Sequence, residues 1–227
     1  MRGYGQFCPI AKASEVLGER WTHLLIREMS VGSETFNDLR KGVPLMSPSL
    51  LSSRLKSLEA AGVIERQSRD GNVRYRLTKA GEELVPIIMQ LGTWGHRWVR
   101  TNLSSSDLDP GLLVWDIHRN MNAEFFTAER TVIKVEFTDV SSSGRFWWLV
   151  IRAGDVDVCL KDPGFDVDLM ISSDLQTLTA VWIGDTTIMK AMREGRVSVT
   201  GSPFLRKNIS AWLGCSYFAD VRPAGAR

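Results

Sequence analysis

The stretch SPSLLSSRLKSLEAAG, residues 47–62, places hydroxyl groups and one ammonium group on a single side of a helical pattern. At about 100° per residue, three leucines share the opposite side, which we expect to be buried: Leu51, Leu55 and Leu58. Ser49, Ser53 and Lys56 point away from the leucines, and Ser52 lies on the flank. Such groups donate or accept hydrogen bonds and can approach an anionic or groove-shaped partner closely. A plain solvated face is the alternative, and the pattern alone leaves both interpretations open.

The ends of this helix are marked by residues that suit them. Ser47 is a favourable N-cap, and Pro48 fits the first helical position, where no backbone N–H is needed. Gly62 stands where a left-handed residue ends a helix. These signals predict a helix of about four turns that holds the serines in a fixed arrangement.

A basic hairpin follows the helix. After Gly62 the hydrophobic period changes from about 3.6 to about 2, and VIERQS and VRYRLT flank the turn signal RDGN. Its charged residues are Arg66, Arg69, Arg74 and Arg76 against Glu65 and Asp70. This arrangement is typical of a DNA-binding unit, in which the helix enters the major groove and the arginines contact phosphates.

Charge and cysteine usage agree with an anionic partner inside the cell. The chain has a formal net charge of +2, but its first hundred residues are net positive and the remainder is net negative. Cys8, Cys159 and Cys215 are scattered and odd in number, which favours a reducing, cytoplasmic setting. The longest apolar run, FWWLVI, is too short to span a bilayer, so we expect no membrane insertion.

Catalysis is not expected. No nucleophile stands at a recognisable spacing from a base, no phosphate-binding loop is present, and the three histidines lack a zinc-ligand spacing. We therefore predict neither an enzyme nor a cofactor or metal site.

A long amphipathic pattern covers residues 79–103. Its apolar stripe is wider than one small domain needs to form a core, which predicts a homodimer interface that also involves the first helix. The candidate interface residues are Leu84, Ile88, Leu91, Trp94 and Trp98.

Three runs together resemble the HxlR-type winged-helix regulators: CPIAKASEVLGERWTHLLIREM, GSETFNDLRKGVPLMSPSLLSSRLKSLEAAGVIERQ and YRLTKAGEELVPIIMQLGTWG. The resemblance covers about residues 7–96. It implies a dimeric, cytoplasmic bacterial transcription factor that binds a double-stranded DNA operator. By position, residues 47–56 then form the recognition helix and residues 66–76 form the wing.

The resemblance also implies roles for individual residues. The candidate DNA contacts are Ser47, Ser49, Ser52, Ser53, Arg54, Lys56, Arg66, Arg69, Asn72 and Arg74. Arg54 lies at the edge of the buried stripe, so it either anchors a phosphate or pairs with Glu34 or Asp38. Members of this family often carry a cysteine before proline near the N-terminus and some use it to sense oxidants, so Cys8 is a redox candidate; a structural cysteine is the alternative.

The second half of the chain predicts one α+β domain. Strand-like segments with short turns between them favour a five-stranded, mainly antiparallel sheet, and helical segments follow. The run from VDVCL to ISAWLG, with VWIGD and MREGRVSVTG, resembles the sterol carrier protein type-2 fold, whose sheet and helices enclose a tunnel for apolar ligands. Large soft side chains that would line such a pocket are Trp148, Met170, Trp182, Met189 and Met192.

The sequence as a whole predicts an α+β protein with two domains. An HxlR-type winged helix-turn-helix domain occupies residues 1–103, and a polar, serine-rich linker occupies residues 104–111. A sterol carrier protein-like domain occupies residues 112–221, with a tail at 222–227. We expect a homodimeric transcriptional regulator whose C-terminal domain binds an apolar effector. Two alternatives are a thiol-sensing regulator acting through Cys8 with a passive C-terminal domain, and a lipid carrier that does not bind DNA.

Overall fold

The computed structural model describes residues 3–69, 71–99 and 104–224. The chain divides into two compact units, Met1–Gly95 and His96–Arg227, and each has its own hydrophobic core. The tip residue Asp70 of the expected hairpin and the expected end of the long helix at residues 100–103 lie outside the described residues. No helix in the described ranges is long and apolar enough to cross a membrane.

The N-terminal unit is a helical core with a two-stranded hairpin. Its elements are α1 (Pro9–Leu17), α2 (Thr22–Ser30), α3 (Phe36–Gly42), α4 (Pro48–Ala60), β1 (Ile64–Arg69), β2 (Asn72–Leu77) and α5 (Lys79–Trp98). The strands pair antiparallel, with Glu65 opposite Arg76. Helices, hairpin and order along the chain make this unit a winged helix-turn-helix, as the sequence predicts.

The core of this unit forms because each helix buries one apolar side. Leu25, Leu39, Leu51, Leu55 and Ile64 are among its most buried residues. Burial of an aliphatic side chain contributes about 1.5–3 kcal/mol, so these contacts supply most of the force that holds α4 against α2 and α3.

An ion pair between buried Glu28 and partly exposed Arg27 lies beside the turn between α2 and α3. Glu28 is fully buried, and its Oε1 accepts a hydrogen bond of 2.6 Å from Arg27. Ser33 donates to the other carboxylate oxygen. A side chain at Gly42 would overlap the carboxylate of Glu28, so α3 can pack here only with glycine at that position. The geometry of the helix-turn-helix therefore depends on contacts outside α4 itself.

The C-terminal unit is a five-stranded mixed sheet with helices. Its elements are α6 (Pro110–Asn120), β3 (Thr131–Phe137), β4 (Phe146–Arg152), β5 (Asp155–Cys159), β6 (Leu169–Ser173), α7 (Leu175–Trp182), α8 (Ile188–Arg193), β7 (Val197–Gly201), α9 (Pro203–Lys207) and α10 (Ile209–Trp212). The strand order is β5-β4-β3-β6-β7. β3 and β6 are parallel, and the other three pairs are antiparallel. The prediction of five strands in a mainly antiparallel α+β sheet is confirmed.

The helices pack on one face of this sheet. Ile133, Val135 and Phe137 alternate along β3 toward a core that also contains residues of α6, α7, α8 and α10. Trp212 of α10 is fully buried, and its indole N–H donates to the carbonyl of Leu205 at 2.9 Å. Successive residues of a strand point to opposite faces, so the even-numbered residues of β3 belong to the other side of the sheet.

Candidate nucleic-acid interface

Helix α4 presents its polar side as the sequence predicts. The side chain of Ser47 caps the helix by accepting a hydrogen bond from the backbone N–H of Leu50 at 3.3 Å. Ser49, Ser53 and Lys56 are exposed, and Ser52 is half-buried. Across the described part of the chain, the hydroxyl of Ser53 and the ammonium of Lys56 have no protein partner. Their hydrogen-bonding capacity is therefore available to an external molecule.

Arg54 differs from the rest of this group. Its side chain is only 11% exposed, and its Nη2 donates to Glu19 at 2.8 Å. The predicted pairing with Glu34 or Asp38 is wrong, because Arg54 lies on the side of α4 that meets the corner between α1 and α2. An arginine engaged in this way positions α4 within the unit rather than extending toward a partner.

The β1–β2 hairpin forms the wing. Arg66, Arg69 and Asn72 are exposed, and Gly71 has a φ of +79°, the left-handed conformation that the turn requires. The hydrogen-bond donors of these three side chains therefore lie on the surface of the wing, along β1 and at the tip.

Arg74 and Arg76 on the second strand are engaged within the unit. Arg74 Nη1 lies 2.6 Å from Glu34 Oε2, and Arg76 Nε lies 2.8 Å from Glu34 Oε1. The hydrogen bond from Arg74, with that from Arg76, lowers the pKa of Glu34, so its carboxylate stays charged. Arg74, a predicted DNA contact, is thus already part of an ion pair. This pair holds the wing against the segment before α3.

Part of the predicted dimer surface on α5 is exposed, and part of it packs in the core of the N-terminal unit. Ile87, Leu91, Trp94 and Trp98 are 59%, 49%, 56% and 63% exposed, and their spacing of four, three and four residues puts them on one side of the helix. Ile88, by contrast, belongs to the core of the N-terminal unit, and Leu84 is half-buried against that core. Of the predicted interface residues, Leu91, Trp94 and Trp98 are therefore the exposed ones, because the α5 stripe spans two faces with different neighbours.

The residues at the start of the chain are also apolar and exposed. Phe7 is fully exposed and Ile10 is 76% exposed. Cys8 lies between them, half-buried, at the residue before α1. The other two cysteines, Cys159 and Cys215, belong to the C-terminal unit.

The five predicted ligand contacts of the C-terminal unit do not form one site. Trp182 packs into the core on the helix side of the sheet, and Met192 packs against it. Trp148 and Met170 are the register partners of Lys134 on β3, so they share the other face. Met189 is 43% exposed. One pocket cannot be lined by all five side chains, because strand alternation puts Trp148 and Met170 on the sheet face away from the helices.

On that other face, Lys134 lies between aromatic rings. Its Nζ is 4.5 Å from the ring centroid of Phe146 and 5.2 Å from that of Trp148. The hydrogen bond from Arg145, with that from Ser172, lowers the pKa of Glu136 nearby. No group of His, Cys, Asp or Glu side chains in the described ranges is arranged to hold a metal ion.

A helix with an exposed serine and lysine face, followed by an arginine-bearing wing, defines a helix-turn-helix DNA-binding protein. Residues 16–103 match the HxlR-like helix-turn-helix family. The chain is 33% identical to the uncharacterized HTH-type transcriptional regulator YvaP of Bacillus subtilis over 98 residues, which is 41% of this chain and 91% of YvaP. It is also 33% identical over 92 residues to YybR of the same organism, covering 39% of this chain and 74% of YybR.

The chain therefore belongs to the HxlR-like helix-turn-helix family, and the match ends at residue 103. Among solved structures, the reduced form of the regulator YodB from B. subtilis is 30% identical, covers 40% of this chain and 92% of that chain, and has a TM-score of 0.36. YvaP and YybR are both named as HTH-type transcriptional regulators.

The sequence pattern did not predict which acids pair with the arginines of α4 and of the wing. Glu19 holds Arg54, and Glu34 holds Arg74 and Arg76. All three pairings join residues that are 35 or more positions apart. No local spacing signal marks them.

Proposed function

We propose that the protein is a homodimeric transcriptional regulator that reads a roughly palindromic operator with two copies of α4. The observation that carries the proposal is the side of α4 with Ser49, Ser53 and Lys56. All three are exposed, and the hydroxyl of Ser53 and the ammonium of Lys56 have no partner among the described residues. A helix-turn-helix dimer places its two recognition helices about 34 Å apart, in successive major grooves. Arg66 and Arg69 of the wing would then contact phosphates beside each groove.

The serine hydroxyls determine how strongly α4 would discriminate between base pairs. A hydroxyl can donate or accept, so it discriminates weakly between bases, and sequence preference then depends partly on the shape of the duplex. Lys56 and the wing arginines supply affinity through phosphates. We therefore expect a regulator with strong electrostatic binding and a modest base-specific component.

The salt dependence of DNA binding tests this assignment. A duplex selected from a random pool should lose about 10³–10⁵ in affinity between about 50 and 200 mM salt, as expected for about six to ten phosphate contacts per dimer. Fluorescence anisotropy at five salt concentrations measures the slope. If no duplex from the pool shows salt-dependent binding, the alternative of a lipid carrier that does not bind DNA is favoured instead.

The proposal extends to the C-terminal unit as the sensor of an apolar effector. Trp182 of α7 and Met192 of α8 lie on the helix side of the sheet, where soft side chains can repack around a guest. Met189 is exposed on the same short helix as Met192 and gives α8 an apolar outer edge. To regulate, the effector must prefer one DNA-reading state by about 1–3 kcal/mol.

Native mass spectrometry of protein purified from its own source organism tests both the proposed dimer and the proposed apolar effector. We expect a dimer mass and one retained apolar molecule per subunit. The retained molecule, once identified, is then added to the DNA-binding assay. A dimer that carries no additional mass would contradict the sensor role of the C-terminal unit and leave the DNA-binding assignment untouched.

A further inference from the structure

Glu34 is the acidic residue that holds the second strand of the wing. Its Oε2 lies 2.6 Å from Nη1 of Arg74, and its Oε1 lies 2.8 Å from Nε of Arg76. Nη2 of Arg76 also donates to Glu34 Oε2 at 3.3 Å. Both oxygens of one carboxylate therefore accept hydrogen bonds from the two arginines. Guanidinium groups bind phosphate with the same fork of donors, so Glu34 occupies the kind of position that a DNA phosphate would take.

Arg74 and Arg76 lie on the outward face of the wing, together with the donors at its tip. Alternate residues of a strand share a face, so Asn72, Arg74 and Arg76 point the same way. Asn72 is opposite Arg69 in the β1–β2 register, which places that arginine on this face as well. Tyr75, between the two arginines of β2, packs instead against the core of the N-terminal unit. A duplex that meets the tip is therefore within reach of Arg74, which follows Asn72 by about 7 Å along the strand.

All three side chains of this ion-pair cluster are open to solvent. The exposed fractions of the Arg74, Arg76 and Glu34 side chains are 57%, 49% and 27%. Exposed ion pairs contribute little to stability, so a competing anion can separate them. Separation would leave the wing in place, because the backbone N–H of Tyr75 donates to the carbonyl of Glu34 at 2.7 Å, whatever the side chains do. Transfer of an arginine from carboxylate to phosphate therefore needs only rotation of side chains.

We infer that Glu34 is an intramolecular competitor of DNA: its carboxylate holds Arg74 and Arg76 in the free protein, and a phosphate of the duplex displaces it from Arg74 when the wing binds. Part of the interaction between Arg74 and the phosphate then only replaces the broken ion pair, so Glu34 lowers the affinity for duplex DNA. The displaced carboxylate also repels the phosphate beside it. Phosphate contacts carry no base sequence, so operator and non-operator DNA are affected alike. The inference rests on the proposed function, because it names the residue that limits the affinity of the same interface.

The variant Glu34→Gln tests the inference, since the amide keeps the size of the side chain and removes its charge. We expect it to bind both a selected operator and a scrambled duplex of the same length more tightly than the parent protein does. The expected gain is about tenfold, because one exposed ion pair no longer has to be broken in each protomer of the dimer. Fluorescence anisotropy at about 0.1 M salt measures both affinities. An affinity of Glu34→Gln that is equal to or weaker than that of the parent overturns the inference.

Glu65→Gln is the matched control, since it removes one negative charge from the same wing. Glu65 is exposed on β1, and its carboxylate accepts a hydrogen bond of 2.6 Å from Gln67 rather than from an arginine. Its substitution changes the general electrostatic field at the wing without releasing an arginine, so we expect a gain of at most about threefold. Equal gains in Glu34→Gln and Glu65→Gln would show a general charge effect and contradict the competition.

A double-mutant cycle connects the effect of Glu34 to Arg74. Arg74→Gln removes the cation for which carboxylate and phosphate compete. Adding Glu34→Gln to that variant should therefore tighten binding no more than Glu65→Gln does. Arg74→Gln should in turn weaken binding at least about threefold more in the Glu34→Gln background than in the parent protein. A gain from Glu34→Gln that is as large without Arg74 as with it overturns the inference.

Two further comparisons complete the test. The Tm of Glu34→Gln should lie within about 5 °C of the parent value, because the ion pair is exposed; a larger loss would make it a structural contact and contradict its ready exchange. If the parent binds duplex DNA with the expected salt dependence and Glu34→Gln gains nothing, the inference alone fails. If neither protein binds duplex DNA, the proposed function and the inference fail together.

Discussion

Replacing Ser53 and Lys56 together with alanine should weaken binding to a selected operator by about a thousandfold. Each protomer loses one hydroxyl hydrogen bond and one cation, each about 1 kcal/mol, and a dimer loses both twice. A total of about 4 kcal/mol corresponds to about three decades in Kd. Fluorescence anisotropy with the selected duplex measures the change, and size-exclusion chromatography checks that the oligomeric state is unaltered.

The matched control makes the same two chemical changes in the other unit. Ser198 on β7 and Lys190 on α8 are exposed, so Ser198→Ala with Lys190→Ala removes one hydroxyl and one cation per protomer outside the winged helix. Its operator affinity should stay within about twofold of the parent protein. If the Ser53 and Lys56 variant binds as tightly as this control, α4 is not the recognition helix.

The polar side of α4 could be predicted because every signal for it is local. Ser47, Pro48 and Gly62 define the ends, and leucines at 51, 55 and 58 define the buried side within a single helix. The hairpin was equally local, since its turn and its two strands are contiguous. Periodicity and capping operate over a few residues, which is the range at which sequence determines structure most directly.

The ion pairs around the interface could not be predicted because their partners are distant in sequence. From the sequence, Arg54 suits Glu34, Asp38 or a phosphate equally well. Its actual partner, Glu19, lies in the corner before α2. Glu34 instead binds Arg74 and Arg76 of the wing. Which acid meets which arginine depends on how the helices cross, and the sequence pattern contains no measure of that crossing.

The C-terminal unit shows a different limit. The number of strands and their mainly antiparallel pairing followed from turn spacing and alternation. Residue chemistry alone grouped Trp148 with Trp182, although β4 turns Trp148 away from the helix side and Trp147 toward it. Assigning each tryptophan to a face of the sheet requires knowing which face the helices cover, and that is a property of the whole unit.

Replacing Leu91 and Trp94 with glutamate should convert the proposed dimer to a monomer and remove operator binding with it. Both side chains are about half exposed in the single chain, so the substitutions cost the isolated fold little. In a dimer that covers this stripe, each glutamate would be buried without a partner, at about 3–5 kcal/mol per charge. The dimer Kd should then rise by more than about three decades.

Lys79→Glu on the same helix is the matched control, since it shifts the net charge by the same two units at an exposed position off the stripe. Analytical ultracentrifugation should report a monomer for the Leu91 and Trp94 variant and a dimer for the control. The two recognition helices act on one operator only when the protomers are joined, so affinity for the two-site duplex should fall to that for a half-site. A variant that remains dimeric would move the interface from α5 to another surface, such as the exposed Phe7 and Ile10 at the start of the chain.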